Sequence, residues 1–402
     1  MRKLLFFIAV LATFGYGCTS QEPEGPGLKE IKLTADESAI VEGQQKLAFE
    51  LFDKMNGQAS TSDNTLLSPL SAHTALSMLA NGTEEQSLND ICDFLNISPS
   101  QLDGLNTLNN QLMRDLPRLD KDVELKIANS LWSSQYAQFL DSYSSFISNT
   151  YKAETFNVDF MAGEGKKAIN DWIAKATDNM LDKIEIPDAT SMAIANCIKF
   201  DGKWKYPFDK KKTSDRNFYN AESQAQYVPT MEGGGTGAKA EGFTAVRLWY
   251  GNQAFSMTLL LPDDSATPLS STEFSYEKWS KIKQALKSNH FSADIYLPRF
   301  SMKMSTDLLD VFNSIKPTEV FSKSANFSRL TDAPVKASHI FHNTAIEVNE
   351  ESTKATASTV IDFEPISPGD ISILVDFNRP FFYVIDEAST GAILFIGALN
   401  KI

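Results

Sequence analysis

Apolar residues recur at helical spacing between 38 and 55, where Ile40, Leu47, Leu51, Phe52 and Met55 form a stripe widened by Val41, Ala48 and Phe49. This predicts an amphipathic first helix. The sequence NTLLSP (64–69) predicts a short strand stopped by proline, and 71–80 a buried helix of small residues that Ser68 or Ser71 caps. LKIANSLW (125–132) predicts a strand, followed by helical stretches near 139–151 and 164–180. SMAIANCIKFDGKWKYPF (191–208) opens as an unbroken apolar run, so it predicts a central strand buried on both faces, leading into a glycine-containing turn and an aromatic cluster. Gly233, Gly234 and Gly235 predict a loop; no strand, Lys or helix start follows at the spacing of a phosphate cradle. Further strands are expected at 255–264 and 292–302, a helix at 305–315, and a closing hairpin over 377–400 turned at Ser389 to Gly391.

One stretch departs from these patterns. From Thr344 to Asn349 the chain alternates, with Ala345, Ile346 and Val348 among Thr344, Glu347 and Asn349, as in a strand with at least one buried face. From Thr353 the alternate residues are Thr353, Ala355, Ala357, Thr359, Ile361 and Phe363, and those between are Lys354, Thr356, Ser358, Val360, Asp362 and Glu364. Strand side chains alternate faces, so this segment can enter a sheet with the first set inward. Its leading Ala and Thr residues also lose little by staying in water, which allows it two stable places. Taken alone, the string ESTKATAST reads as a polar linker between strands. The tip shifts that reading: Pro365 and Pro368 bracket Ile366 and Ser367 and push Glu364 and Ser367 toward extended backbone. Proteases bind extended, exposed segments of this kind by strand-like pairing.

The N-terminus adds a compartment. Arg2 and Lys3 precede an apolar run from Leu4 to Phe14 that ends in small residues before Gly17 and Cys18, the pattern of a signal peptide over 1–17. Cys18 stands where the acylated cysteine of a bacterial lipoprotein falls, although Gly15 replaces the usual Leu, which leaves ordinary cleavage and secretion as the alternative. The polar, Pro/Gly-rich stretch within 18–36 suits a flexible tether, and a single folded domain is expected over 37–402. A hydrophobic content of 42% is enough for a sizeable core. A net charge of -14 argues against nucleic acid or an anionic membrane surface as the partner, because both require dense Lys and Arg. Membrane contact is expected only through the lipid. Cys92 and Cys197, the other two cysteines, are too few for a disulfide scaffold and suit buried hydrophobes.

The sequence assembles no catalytic site. It lacks G-x-S-x-G, H-E-x-x-H and a Walker loop, and His73, His290, His339 and His342 are not in metal-ligand spacing with Cys or a carboxylate. No metal and no cofactor are expected. Ser68, Ser71 and His342 suit capping or hydrogen-bonded core roles better than those of nucleophile and base.

NTLLSPLSAHTALSML, ANCIKFDGKWKYPF, LLLPDD, LPRF, FHNTAIEVNEEST, FNRPFFYVID and FIGALN occur in order across 38–402, and together they resemble a serpin. The resemblance implies an α+β serpin fold of three β-sheets and about nine helices, with an exposed reactive-centre loop over about 350–376. It places Ser68, Pro69, Ser71, Asn196 and His342 in the shutter beneath the main sheet and Trp204 in the breach at its top. It makes Glu350, Glu351, Ser352, Thr353, Lys354, Ala355, Thr356, Ala357 and Ser358 the hinge. The small residues there match inhibitory members. Ser352 where Gly is usual, Lys354 where Glu is usual, and Asn179-Met180 in place of Gly-Lys depart from the pattern. The reactive bond is expected at Ile366-Ser367, sixteen residues after Glu350, with Phe363 as the fallback.

The function implied is suicide inhibition. A protease attacks the loop, an acyl-enzyme forms, and the freed loop inserts into the main sheet before hydrolysis, so the chain is an inhibitor and not an enzyme. The expected partner is a serine protease of elastase-like or subtilisin-like preference, or a cysteine protease; the inhibitor is expected to be an exported monomer. The rivals are a non-inhibitory serpin-like surface lipoprotein whose loop is only cleaved, and a hydrolase using Ser71 and His342.

Overall fold

The computed structural model describes residues 30–353, except 180, 182 and 189, and residues 372–402; for Thr353 it describes the backbone alone. Cys18, Lys354, Ala355, Thr356, Ala357, Ser358, Ile366 and Ser367 therefore lie outside the described residues.

Eight α-helices occur among the described residues: α1 (Ala35–Gln58), α2 (Pro69–Gly82), α3 (Glu85–Phe94), α4 (Leu102–Asp115), α5 (Asp141–Tyr151), α6 (Glu164–Ala176), α7 (Tyr276–Ser288) and α8 (Leu308–Ile315). The strands are β1 (Thr65–Leu67), β2 (Val123–Ser134), β3 (Glu154–Val158), β4 (Met192–Lys203), β5 (Ser214–Tyr219), β6 (Ala225–Ala240), β7 (Phe243–Trp249) and β8 (Phe255–Pro262). They continue with β9 (Phe291–Pro298), β10 (Phe300–Asp307), β11 (His339–Val348), β12 (Ser352–Thr353), β13 (Ile373–Asp376), β14 (Phe381–Glu387) and β15 (Ile393–Leu399).

Among the described residues the strands join into two hydrogen-bonded sheets, two of the three expected groups being linked through a shared strand. One has six strands in the order β10-β11-β4-β2-β3, with β12 attached to β4; the other has nine, β1-β15-β14-β8-β7-β6-β9-β13, with β5 attached to β6. The count falls because β6 is long enough to serve two groups of strands. Its start pairs with β5, its middle with β9 and its end with β7. The expected loop at Gly233, Gly234 and Gly235 is corrected here, since all three lie inside β6. Their missing side chains make room for neighbours: a Cβ on Gly233 would lie 2.5 Å from the Phe208 ring, and one on Gly235 would lie 2.8 Å from the Arg247 carbonyl oxygen.

The single strand expected over 292–302 is two strands, β9 and β10, which belong to different sheets and meet at Arg299. Asp307 then caps α8, accepting the Leu309 N–H at 3.1 Å, so that helix starts later than expected. At the other end, the fold begins ahead of residue 37. Ile31 is buried with its N–H on Ser389 Oγ at 3.0 Å, and Thr34 with Glu37 makes a capping box for α1.

Helix α2 runs between the layers, with all but Asn81 of its residues buried, and begins at Ser68 and Pro69 as the cap and the missing N–H predict. Along β4 the even-numbered residues Met192, Ile194, Ile198 and Phe200 join the large core toward α2. The odd-numbered Ala193, Ala195 and Cys197 pack with Ile169 and Ile173 of α6 on the other face. The six-stranded sheet is therefore covered on both sides, and β4 is central as its unbroken apolar run predicts.

Candidate functional site: the sheet seam, its underlay and the hinge

The six-stranded sheet has a seam at its centre. β4 pairs antiparallel with β2 from Ser133↔Met192 to Val123↔Gly202, and β11 pairs antiparallel with β10 from Phe341 to Val348. Between these halves β4 and β11 pair in parallel only from His339↔Ala193 to Thr344↔Ile198. Above that point the ladder stops. After β11 the chain turns at Asn349 to Glu351 and returns as β12, which pairs antiparallel with β4 at Ser352↔Lys203 and Thr353↔Gly202. The first two hinge residues in strand form thus lie at the mouth of the seam.

The residues that the resemblance assigns to a shutter lie at the start of α2 and on β4 and β11. Ser68 Oγ caps α2 by accepting the Ser71 N–H at 3.4 Å, and the Ser68 N–H donates to His342 Nε2 at 3.0 Å. Ser71 Oγ donates to Asn196 Oδ1, Asn196 Nδ2 donates to Asn129 Oδ1, and Asn129 Nδ2 reaches the Tyr151 carbonyl at 2.9 Å. Asn129 and Tyr151 were not expected from the sequence. The signal for Asn129 was there: it is the amide inside LKIANSLW, on a strand whose neighbours are apolar or small. His342 and Asn196 are cross-strand neighbours, yet no side-chain hydrogen bond joins them; each is tied separately to α2.

His342 is fully buried, and burial pushes its imidazole down to about 3. It is therefore neutral, and because Nε2 accepts a hydrogen bond its proton sits on Nδ1, which has no partner among the described residues. Burial likewise pushes His73, which touches Gln44 at 3.2 Å, down to about 3. Ser71 Oγ points at Asn196 and His342 Nε2 at a backbone N–H, so they do not form a nucleophile and base. The hydrolase reading has no site here.

Trp204, which the resemblance assigns to the breach, stacks on Tyr250 with ring centroids 4.4 Å apart, and its Nε1–H donates to the Asn349 carbonyl at 2.9 Å. The backbone N–H groups of Trp204 and Phe208 hold the carbonyls of Glu351 and Glu350 at 3.1 and 2.8 Å. The Glu350 carboxylate is gripped by Arg299 Nε at 2.8 Å, by Arg299 Nη2, and by Thr213 Oγ1 at 2.6 Å. Burial acts to raise this carboxyl, but the Arg299 and Thr213 hydrogen bonds outweigh it and hold Glu350 below the usual range. Glu351 pairs with Lys210. Arg299 stands in the quoted LPRF motif, but its partner could not be read from the sequence. The sheet-to-sheet crossing between β9 and β10 is what aims it at the hinge.

Ser352 is fully buried, and its hydroxyl has no partner among the described residues. Its φ is not positive, so in this position it does not need the backbone freedom of a glycine.

On the α6 side of the seam, Asp178 bridges Lys199 of β4 at 2.6 Å and Lys126 of β2 at 3.0 Å. The hydrogen bonds from those two ammonium groups hold the Asp178 carboxyl down to about 2. Glu124 completes the cluster, at 2.8 Å from Lys126 and 3.3 Å from Lys199.

These features define a protein organised around a partly closed sheet seam with a hinge strand at its mouth. Residues 42–402 match the family described as Serpin (serine protease inhibitor), and the chain belongs to that family. Among its relatives, a serpin-like protein of Methanosarcina mazei is 27% identical, with 99% of this chain and 97% of that protein covered. The alpha-1-antiproteinase of Rattus norvegicus is 28% identical over 94% of this chain and 91% of its own length. The thermophilic serpin tengpin in its native state superposes with a TM-score of 0.78 at 26% identity, covering 93% of this chain and 96% of tengpin. Human thyroxine-binding globulin shares the fold, with a TM-score of 0.82 at 23% identity, 91% of this chain and 99% of that one being covered.

Two outcomes test this site. Glu350 is 2% exposed and Arg299 43%, so removing the arginine strands a buried carboxylate while removing the carboxylate leaves a cation that water can reach. Arg299→Ala is expected to destabilise by ~3–5 kcal/mol and Glu350→Gln by clearly less, measured by guanidinium unfolding. The second outcome concerns acid. His73 and His342 resist protonation until about 3 when folded but titrate near ~6.5 when unfolded, so the unfolded state binds more protons between those values. Stability should be full above pH ~6.5 and fall as pH drops, by up to about 1.4 kcal/mol per pH unit for each histidine. Unfolding midpoints between pH 6.5 and 5 check this, with the slope reduced by about one proton in His342→Asn.

Proposed function

We propose that this serpin is a suicide inhibitor of serine endopeptidases. The protease attacks the loop, forms an acyl-enzyme, and is trapped when the freed loop enters the seam between β4 and β11 as an additional strand. The observation that carries the reading is the register of β12, which lies antiparallel to β4 with Thr353 opposite Gly202. Gly202 is even-numbered, on the parity of β4 that faces the core, and opposed residues in an antiparallel pair share a face. Continuing that register would bring Ala355, Ala357, Thr359, Ile361 and Phe363 to the inward face, the set that the alternation in the sequence marks out. Membership in a family of protease inhibitors and the misaligned Ser71 and His342 both support an inhibitor over an enzyme.

The reactive bond in this reading is Ile366-Ser367, and an aliphatic residue preceded by proline suits an elastase-like or subtilisin-like pocket. A cysteine protease is the second candidate class. The protein is exported, and Cys18 carries the lipid, with the chain up to residue 36 as tether. Mass analysis of the mature N-terminus is expected to find a diacylated or triacylated Cys18; an unmodified terminus at another residue would exclude the anchor.

Thr353→Arg tests the mechanism. An arginine here would stand opposite Gly202 on the core-facing parity, and seating the strand would bury an unpaired charge at a penalty of several kcal/mol. Each ~1.4 kcal/mol carried into the insertion barrier slows that step tenfold, so deacylation overtakes it. With elastase on denaturing gels, the wild type is expected to form a covalent complex and to release a C-terminal peptide beginning at Ser367. The variant should be cut at the same bond while forming little complex. Cleavage without complex in the wild type would favour the non-inhibitory lipoprotein.

A further inference from the structure

Beyond Asn129 the polar chain under the seam continues into the helical layer. Asn129 of β2 stands directly opposite Asn196 of β4, and its Nδ2 donates to the Tyr151 carbonyl at 2.9 Å. Tyr151 is the last residue of α5, and Lys152 after it is left-handed, with φ 54°, so the helix stops there. The last carbonyls of a helix have no partner within it. Here they are taken from outside. Asn110 Nδ2 of α4 donates to the carbonyls of Asn149 and Thr150 at 3.0 and 3.2 Å, and Asn129 takes the next.

The hydroxyl of Tyr151 is held as well. Burial pushes this phenol well above its usual range, so it keeps its proton, which it donates to Asn106 Oδ1 at 2.5 Å. The amides of Asn106 and Asn81 exchange two hydrogen bonds of 2.8 Å, and Asn81 Nδ2 also reaches the Ser77 carbonyl of its own helix at 2.7 Å. Asn81 lies in the last turn of α2 and Ser71 in the first. The bonds therefore close a circuit. It runs from Ser71 to Asn196, Asn129 and the Tyr151 carbonyl, through Tyr151 to its hydroxyl, and by Asn106 and Asn81 back to the same helix. Tyr151, Asn129 and Asn196 are at most 1% exposed, so bulk water does not compete for these bonds.

We propose that Tyr151 is a positioning residue for the seam. Its carbonyl sets where Asn129 stands, and hence where Asn196 meets Ser71, while its hydroxyl sets where that carbonyl lies. The β4 edge of the parallel ladder is thus referred to two points on α2 that are roughly 15 Å apart along the helix. One point alone would let the strand pivot; two fix its direction. Tyr143 supplies the contrast. It lies on the same buried face of α5, and its hydroxyl also reaches α2, donating to the Met78 carbonyl at 2.9 Å, but that hydroxyl bonds nothing on β2 or β4 among the described residues. Tyr151 acts in the closed seam, whether or not a strand ever enters it.

Tyr151→Phe and Tyr143→Phe, made in the full chain, each remove one buried hydroxyl and its bond. Amide hydrogen exchange of the ladder segments 193–198 and 339–344 is expected to speed up several-fold in Tyr151→Phe and to stay near wild type in Tyr143→Phe. Tyr151→Phe and Ser71→Ala, separated in the circuit by Asn129 and Asn196, are expected to lower the guanidinium midpoint together by less than the sum of their separate losses, since either one opens the circuit. Tyr143→Phe and Ser71→Ala should simply add. Asn106→Ala opens the circuit at the next bond and is expected to reproduce the exchange pattern of Tyr151→Phe, which keeps the test decisive if Tyr151→Phe does not fold. Equal ladder exchange in the two tyrosine variants, or additive losses for Tyr151→Phe with Ser71→Ala, would show that Tyr151 only packs α5 and would overturn its positioning role.

Discussion

The parallel ladder between β4 and β11 is the interaction on which the rest of this molecule depends. On either side of it the sheet is continuous: β4 is bonded to β2 along nearly its whole length, and β11 to β10 up to Val348. The ladder itself covers only His339 to Thr344, and parallel pairing is slightly weaker per residue than antiparallel. The sheet is thus two firm halves joined by a short, weaker seam. A new strand would separate those halves without breaking the ladders inside either.

The polar underlay follows from that arrangement. A sheet that parts over an apolar layer would expose that layer as it opens, whereas one resting on satisfied hydroxyls and amides can shift its contacts locally. Here each half is fastened to α2 by its own bond, β11 through His342 to the Ser68 N–H and β4 through Asn196 to Ser71. No side-chain bond crosses from Asn196 to His342, so the halves can move apart without a cross-seam side-chain bond to lose. Among the described residues His342 Nδ1 has no partner.

Much of this was legible in the sequence because period and punctuation are local. The stripe of α1, the proline after LL, the continuous apolar run of β4 and the Ser389 to Gly391 turn each appear where the residues place them. Ser68, Ser71, Asn196 and His342 were singled out by motif likeness, and hydrogen bonds tie each of them to the start of α2 or to one another. What the sequence hid is tertiary. Three consecutive glycines read as a loop because nothing local records that Phe208 and the β7 backbone press against them. The run SADIYLPRFSM reads as one strand because the Pro298-Arg299 break is a change of sheet, which only the partner strands define. Asn129 could have been suspected as an amide in an apolar strand, but its partner comes from a strand 67 residues later.

The change of sheet at Arg299 also explains how the seam and the hinge are kept in step. β9 belongs to the nine-stranded sheet and β10 to the six-stranded one, so Arg299 is anchored in both: its own N–H bonds the Pro229 carbonyl at 2.9 Å while its guanidinium holds Glu350. Glu350 and Glu351 are held in turn through their carbonyls by the segment that follows β4, at Phe208 and Trp204. The start of the hinge is therefore fixed to the segment after β4, to the β9–β10 junction and to the second sheet at once. Fixing the start sets the register: a strand that leaves a point tied on both sides of the seam reaches Gly202 on its fourth residue, counting Glu350 as the first. The ion pair between Glu350 and Arg299 thus ties the chain just ahead of β12 to the point where the strand passes from one sheet to the other.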